Sequence, residues 1–509
     1  MADPKKDILI GSIDQGTSSS RFLLFSASTL QVVAMHQIEC EQQFPKDGWV
    51  EMSPRQMLDA TERCIVETCQ KLQPLGYSVQ QVKAVGVTNQ RETTIVWNKA
   101  TAEPYYPAIV WLDARTAPLA DAYSRKKGVV DGGGDREAFR ALTGLPIHPY
   151  FSALKLRWIL DNVQGTQQAA EQGTAIMGTV DTWLIWNLSG RRAFVTDVTN
   201  ASRYLLMDIN KREWSDQLCA FFNIPKAMLP AIKSSSEHYA AIADGPLAGV
   251  PICGCLGDQQ AALVGHRCLE AGQAKNTYGT GTFMLYNTGT TPIISSAGLL
   301  TTVAFQLGPN EPVIYALEGA GSIGGTSVRW LRDNLKIIQK AKDVEALAAS
   351  VPDSGSCAFV PCFSGLYAPH WKSDARGVIT GITGAITAAH IARATLNAVA
   401  CQTREIVDAI IMDSKMPLKQ LRVDGGMTAN ALLMRTQASV LGVPVLRVQL
   451  AEMTALGAAI AAALAVNART YQQIKEAPVD TVAFEGDLAN EQVDEMMLLW
   501  ARAVRHACD

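Results

Sequence analysis

The residues with the most to offer chemically gather at turns. Near the middle of the chain, Gly257-Asp258-Gln259-Gln260 delivers a carboxylate and two amides from a glycine turn into the apolar helical run Ala261-Ala262-Leu263-Val264. An Asp in that place commonly caps free helix N–H groups. It is equally suited to take a proton from a hydroxyl. Three glycine turns elsewhere argue for the second use. Asp14-Gln15-Gly16-Thr17-Ser18 has Ser19 and Arg21 just beyond it, Gly279-Thr280-Gly281-Thr282 is a turn of the same kind, and Asp424-Gly425-Gly426 lies between a strand and a helix. Phosphate needs backbone N–H and hydroxyl donors brought close, which requires turns without bulk. Each turn alone reads as well as ordinary hairpin or connection geometry. Together, with an acid between them, they point to a nucleotide cleft with Asp258 as the general base of phosphoryl transfer. Asp14 is a candidate Mg²⁺ ligand, acting through water because Mg²⁺ sheds its waters reluctantly.

The acceptor side is polar. Arg91-Glu92 is an adjacent pair of opposite charges just past a buried strand. One reading is a surface ion pair worth little. The other is a pair of ligands for a polyol. Adjacent strand residues point to opposite faces, so both reach one ligand only from a loop or bulge. Trp111, Tyr150 and Phe283 either line the carbon backbone of such a substrate or are plain core. There is no Gly-x-x-x-x-Gly-Lys-Ser/Thr run, no protein-kinase motif set and no serine nucleophile elbow.

The elements that position these turns alternate between strand and helix. Ile8 to Asp14, Arg21 to Phe25 and Gln31 to Ile38 read as strands, the first two at hairpin spacing. Pro54 to Leu72 reads as a helix with Ser53 as its cap, and Val82 to Val87 as a buried strand. A Rossmann unit would place its glycine turn before a helix; here the turn opens a second strand. Further on come an Asp131-Gly132-Gly133-Gly134 turn, a helix from Ser152 to Leu160, and the apolar run Ile252 to Leu256 leading into Asp258. The pattern then restarts. Lys275 to Leu285 is again strand, Gly/Thr turn, strand, a weak internal repeat. Helices are expected over Ser327 to Leu335, Ala388 to Ile411, Ala429 to Leu441, Thr454 to Val466 and Glu491 to Val504, with a strand over Leu421 to Val423. The class is α/β.

Composition bounds the rest. A chain of 509 residues, 48% hydrophobic and 18% charged, is ordinary for a globular protein of two or more domains. A net charge of −3 with interspersed signs argues against nucleic acid or an anionic membrane as partner. No apolar run is long enough to span a bilayer; Ala455 to Val466 is better read as a buried helix. Met1 to Lys6 is polar and shows no signal-peptide core. Eleven scattered cysteines, with no metal-ligand spacing at Cys253/Cys255 or Cys357/Cys362, read as reduced thiols. A cytoplasmic compartment is expected. The final His506-Ala507-Cys508-Asp509 spells no peroxisomal address, and an organelle of that kind stays the alternative if a signal lies beyond it.

Longer stretches carry a resemblance. Asp14-Gln15-Gly16-Thr17, Gly48-Trp49-Val50-Glu51, Thr88 to Thr94, Gly178-Thr179-Val180-Asp181-Thr182-Trp183, Gly257-Asp258-Gln259-Gln260 and Asn276 to Gly281 resemble the FGGY family of carbohydrate kinases. The match runs from about Ile8 to Val466. Tyr150 to Asn162, with Lys155 and Trp158, resembles its first signature. Gly377 to Asn397 resembles its second, though Asn397 stands where an acid or Gln is usual. The resemblance implies an actin-like ATPase fold of two ribonuclease H-like domains, 1–262 and 263–509, with the nucleotide in the cleft between them. It implies transfer of the γ-phosphoryl group of ATP to glycerol, with Mg²⁺ near Asp14 and a homodimer as the assembly. Asp258 is then the base. Arg91, Glu92, Tyr150, Asp258 and Gln259 hold glycerol, with Trp111 and Phe283 against its carbons. Thr17, Ser18, Ser19, Arg21, Thr280, Gly325, Gly426 and Asn430 hold the nucleotide. Arg329 sits near the nucleotide where bacterial relatives have Gln. Asp244 to Pro251 is shorter than the loop by which bacterial relatives bind fructose bisphosphate, so no such inhibition is expected. Two other functions stay open at this stage: a kinase of another polyol or sugar, and an actin- or chaperone-like ATPase acting on a protein partner.

Overall fold

The structure, a computed structural model, describes residues 6–126, 136–321, 323–363, 365–372 and 374–509. The expected Asp131-Gly132-Gly133-Gly134 turn lies outside them. Two mixed sheets organise the chain. The first holds β1 (Leu9–Gln15), β2 (Ser19–Ser26), β3 (Val32–Glu39), β4 (Val82–Asn89), β5 (Ser236–Ala241) and β6 (Pro251–Gly257) in the order β5-β6-β4-β1-β2-β3. The second holds β7 (Ala274–Tyr278), β8 (Thr282–Gly289), β9 (Leu300–Phe305), β10 (Ile314–Gly321), β11 (Leu421–Asp424), β12 (Val445–Val448) and β13 (Thr481–Phe484) in the order β9-β10-β8-β7-β11-β12-β13.

The internal repeat is far stronger in space than in sequence. β1 pairs antiparallel with β2 and parallel with β4, as β7 pairs antiparallel with β8 and parallel with β11. The outer strands follow suit: β6 is parallel to β4 and antiparallel to β5, as β12 is parallel to β11 and antiparallel to β13. Strand β9 is the one addition, at the edge beside β10. Each Gly/Thr turn therefore sits at the same corner of its own sheet. Both sheets have strands buried along their whole length, such as Leu9–Gln15 and Leu300–Phe305, polar residues included, because helices cover them.

Helix α1 (Pro54–Gln70) begins as the sequence indicates, with Ser53 accepting from the N–H of Gln56 and Met57, Thr61, Cys64, Ile65 and Thr68 buried. Helix α2 (Ser152–Asn162) is fixed at its start by Lys155, whose buried ammonium donates to the carbonyls of Pro149 and Tyr150. The stretch around Trp49 is also structural: Trp49 packs edge-on against Trp158 at 5.2 Å, and Arg115 lies over the Trp49 ring at 3.9 Å while pairing with Glu51 and Asp113.

The two halves meet through helices α3 (Asp258–Gly265) and α4 (Met453–Ala465). Helix α4 packs on α3 and also against β1, β4 and β6 of the first sheet. The division expected between residues 262 and 263 falls inside α3. The Ala-rich α4 is buried almost throughout, because this crossing has no room for larger side chains. A Cβ on Gly457 would lie 1.8 Å from the Ala261 carbonyl oxygen, and one on Gly265 would lie 2.0 Å from that of Met453. Backbone cannot yield to such overlap, so Gly457→Ala should lower the unfolding free energy by about 3 kcal/mol or more. Gly384→Ala, where a Cβ meets nothing within 4 Å, should stay within about 0.5 kcal/mol. Urea denaturation of both variants checks the contrast, and equal stabilities would contradict this packing.

Candidate active site

The β1–β2 turn, the end of β4, the start of α3 and the β7–β8 turn converge on one place. Strand β6 runs into Gly257, and Asp258 is the first residue of α3. One carboxylate oxygen of Asp258 accepts from the N–H of the next residue, Gln259, at 2.7 Å, while the N-cap position itself is Gly257, so Asp258 is not the cap that its place in the sequence also allowed. The same oxygen lies 3.1 Å from Nε of Arg91. Burial pushes Asp258 above the usual carboxylate range, with Arg91 pulling it back. A half-buried carboxylate with a raised proton affinity, oriented by a cation, is suited to accept a proton.

Arg91 and Glu92 are not the surface pair that adjacent charges also allow. Both are buried, and Glu92 has a φ of +58°, which breaks the strand after β4 and sends the two side chains into one site. Arg91 donates to both oxygens of Glu318, at 2.5 and 3.1 Å. Arg203 donates through Nε to Glu92 at 2.6 Å and through Nη2 to Glu318 at 3.1 Å. Glu318 lies on β10 in the second sheet and is fully buried. Burial alone would raise its proton affinity; Arg203 and Arg91 overcome it and hold Glu318 down to about 2. Glu92 stays raised, because burial outweighs Arg203 and Arg91 there.

The aromatic residues close the other side. Trp111 packs edge-on against Tyr150 at 5.7 Å and against Phe283 at 6.0 Å, and its indole N–H donates to the Thr17 hydroxyl at 3.0 Å. Arg203 lies 5.6 Å from the Tyr150 ring. Lys275 joins the ends: its ammonium donates to the Gln259 side chain, to Thr277 at 3.0 Å and to the Phe283 carbonyl at 3.2 Å. All seven acceptor-side residues read from sequence, Arg91, Glu92, Trp111, Tyr150, Asp258, Gln259 and Phe283, thus form one connected group. Three further members, Arg203, Lys275 and Glu318, do not stand out in the sequence. Burial brings Lys275 down to about 8 against the pull of Asp424 and Asp258. A lone Glu in the apolar run Ile314–Gly321 is a usable signal, since a fully buried acid needs partners.

Beyond the β7–β8 turn, a cavity of about 400 Å³ is lined by Thr280, Gly325, Arg329, Gly426 and Asn430, five of the residues expected from sequence to hold a nucleotide, with Tyr278 beside them. Gly425 has a φ of +93°, and a Cβ there would sit 2.5 Å from the Tyr278 carbonyl oxygen, so this wall requires glycine at 425, whereas a Cβ on Gly426 would meet nothing within 4 Å. The Asn430 side-chain oxygen caps the helix Ala431–Leu441 through the N–H of Leu433. Thr17, Ser18, Ser19 and Arg21 do not line this cavity. They belong to the β1–β2 turn, closed by the Gly16 N–H to the Ser19 carbonyl, on the side of Asp14. Arg21 is 3.7 Å from Asp14 and donates to Glu452 at 2.9 Å.

Asp14 is buried at the end of β1, and burial pushes it up to about 7, with Arg21 opposing and Glu452 and Asp258 adding. Two carboxylates sensed by one another beside hydroxyl-rich turns are a donor set that suits a hydrated Mg²⁺. A second acid–thiol cluster, Asp181, Asp197 and Cys255, is different in kind. Its carboxylates are taken up by the hydroxyls of Thr196, Thr199 and Ser235 and by the N–H groups of Thr199 and Asn200. All eleven cysteines are free, as the sequence indicates.

The FGGY carbohydrate-kinase family models match in tandem, the N-terminal domain over residues 9–265 and the C-terminal domain over 274–466. The chain belongs to the FGGY family of carbohydrate kinases. Its fold is the actin-like ATPase fold of that family. It is 51% identical over 504 residues to a probable glycerol kinase of Caenorhabditis elegans, covering 98% of this chain and 99% of that one. It is 52% identical over 460 residues to a glycerol kinase of Brucella anthropi, covering 90% of each. Among solved structures it resembles Plasmodium falciparum glycerol kinase with ADP, at 36% identity, 99% coverage of both chains and a TM-score of 0.91. At 20% identity and a TM-score of 0.85, gluconate kinase from Lactobacillus acidophilus shares the fold.

Asp14 yields a prediction with a definite sign. Its raised proton affinity means that the folded state disfavours its charge. The cost is absent below about pH 4, grows between 3.8 and about 7, and is complete above that. A rise from 3.8 to about 7 corresponds to at most ~4.5 kcal/mol, at about 1.4 kcal/mol per pH unit. Asp14→Asn should therefore stabilise the protein at pH 8 by roughly 1–3 kcal/mol, since the amide keeps only part of the carboxyl's contacts. The gain should fade towards pH 4. Denaturation at both pH values checks this; no gain at pH 8 would contradict it.

Proposed function

We propose that the chain is a glycerol kinase, transferring the γ-phosphoryl group of ATP to glycerol to give sn-glycerol 3-phosphate and ADP. The relatives at about half identity over nearly the whole chain support the activity. The observation that carries it to this site is the connected group itself. A carboxylate with raised proton affinity stands against Arg91 and Gln259, walled by Trp111, Tyr150 and Phe283, with a nucleotide-sized cavity beyond the β7–β8 turn.

In this reading Arg91, Glu92 and Gln259 hold the glycerol hydroxyls, and the three rings cover its carbons. Asp258 takes the proton of the terminal hydroxyl as it attacks. Phosphoryl transfer of this kind needs positioning and charge stabilisation above all. The adenosine end of ATP occupies the cavity lined by Arg329, Gly426 and Asn430. The phosphates lie between the Thr280 turn and the Thr17-Ser18-Ser19 turn, with Arg21 alongside. Asp14 would hold a hydrated Mg²⁺, and the ion would supply neutralisation of phosphate charge. Residues 1–262 and 263–509 act as two domains whose closure excludes water, which would otherwise accept the phosphoryl group. The proposal extends to a homodimer, checked by sedimentation equilibrium. The compartment stays open; no helix among the described residues is long and apolar enough to cross a membrane.

Incubation with ATP and Mg²⁺, with and without glycerol, tests the reading. Glycerol 3-phosphate should appear in step with ADP. ADP alone, or a faster reaction with another polyol in a substrate panel, would overturn glycerol as the acceptor. Asp258→Asn should lose roughly 10²–10⁴-fold in kcat while the KM for glycerol changes little. Unchanged turnover would remove Asp258 from the role of base.

A further inference from the structure

At the opposite edge of the second sheet lies another cavity, of about 310 Å³. The nucleotide-side turns follow the ends of β7 and β11. This cavity borders their beginnings, with Gln273 just before β7 and Arg422 second in β11. Because β7 and β11 run parallel, the two cavities open at opposite ends of the same strands. Cavities of roughly 300–1,000 Å³ are the size of small-molecule sites.

Its charge is one-sided. Arg267, Arg422 and Lys475 line it, against the single acid Glu270. Glu270 pairs with Lys475 at 2.7 Å on the exposed rim. Neither Arg267 nor Arg422 has a carboxylate partner among the described residues. Arg422 donates to the His266 carbonyl, and Arg267 donates to the Gly265 carbonyl at 2.5 Å. Arg267 is only 6% exposed, its φ of +59° turns it back under the end of α3, and its Nε–H is buried without an acceptor. Burial, followed by Arg422 and Arg469, brings Arg267 down to about 10, the mark of a cation whose charge nothing offsets. Buried cations are ordinarily paired, and guanidinium groups fit oxyanions by two N–H donors at once.

We propose that this cavity is a binding site for a small phosphate-type oxyanion, held by Arg267 and Arg422 with Lys475 at its mouth. Arg267 stands where the two family domains join: the domain matches end at 265 and resume at 274, and Arg267, Glu270 and Gln273 fall between, while Arg422 comes from within the second domain. The site is separate from the acceptor and nucleotide groups. The ligand is either the free anion or a phosphomonoester.

Calorimetric titration of the full chain with inorganic phosphate tests this, with ADP present to fill the nucleotide cavity. Wild type should bind one phosphate. Arg422→Gln should weaken binding at least tenfold. Glu270→Gln, which removes a rim acid, should tighten it about 2–5-fold, the scale of an exposed pair; misfolding cannot give that sign. A parallel titration with methyl phosphate names the source, a phosphorylated metabolite if the ester binds tighter and the free anion if phosphate does. No saturable binding by wild type overturns the site, as does wild-type affinity in a folded Arg422→Gln protein. If that variant does not fold, unchanged affinity in Glu270→Gln overturns it. The localisation rests on the variants, so it stands or falls apart from the glycerol kinase reading.

Discussion

The arrangement depends on one buried contact, the bidentate pairing of Arg91 with Glu318. Arg91 follows a strand of the first sheet and Glu318 lies within a strand of the second. Neither charge reaches water, so each needs the other, and removing one partner of such a pair typically costs several kcal/mol. The contact thereby joins the halves at the point where Asp258 must be oriented. Arg203 shares Glu318 and carries the network to Glu92. Lys275 balances the acids from the other side. Three cations, Arg91, Arg203 and Lys275, face three acids, Glu92, Glu318 and Asp258. Near-neutrality of this group lets it stay buried while leaving Asp258 the least committed of the acids.

The repeated pairing scheme explains why the two Gly/Thr turns come to one place. The same six-strand pairing scheme occurs in both halves, so a Gly/Thr hairpin turn emerges at the equivalent corner of each sheet. Residues with opposite tasks then follow from position alone. The first hairpin contributes Asp14 and its hydroxyls; the second contributes Thr280 and, through Phe283, a ring packed against Trp111. The glycine contacts between α3 and α4 hold the halves close enough for these turns to meet.

What is legible in the sequence is local chemistry. Turn residues announce themselves through glycine and hydroxyl spacing, so Asp14, Asp258, Thr280 and Gly426 stand out, and the strand–turn–strand order locates both sheets. Arg203 and Lys275 are not legible, and Glu318 shows only as a lone acid in an apolar run, because their roles come from partners that the fold supplies: Arg203 meets Glu92 and Glu318 across more than a hundred residues, and Lys275 meets Gln259 from the preceding helix. Arg91 and Glu92 are recognisable, but their adjacency suggests a mutual pair, whereas each takes a partner from elsewhere. The crossing of α4 onto the first sheet is equally hidden, since an Ala-rich helix reads as buried without naming what buries it.

The central claim is that Arg91 and Glu318 act as one unit in positioning the base. A double-mutant cycle with Arg91→Lys and Glu318→Gln, read as kcat/KM for glycerol, tests it most directly. The account predicts strong non-additivity, a coupling of at least ~1 kcal/mol, with the double variant little worse than the poorer single one. Losses that add within about 0.3–0.5 kcal/mol would mean that the two residues serve the site independently, and would contradict the account.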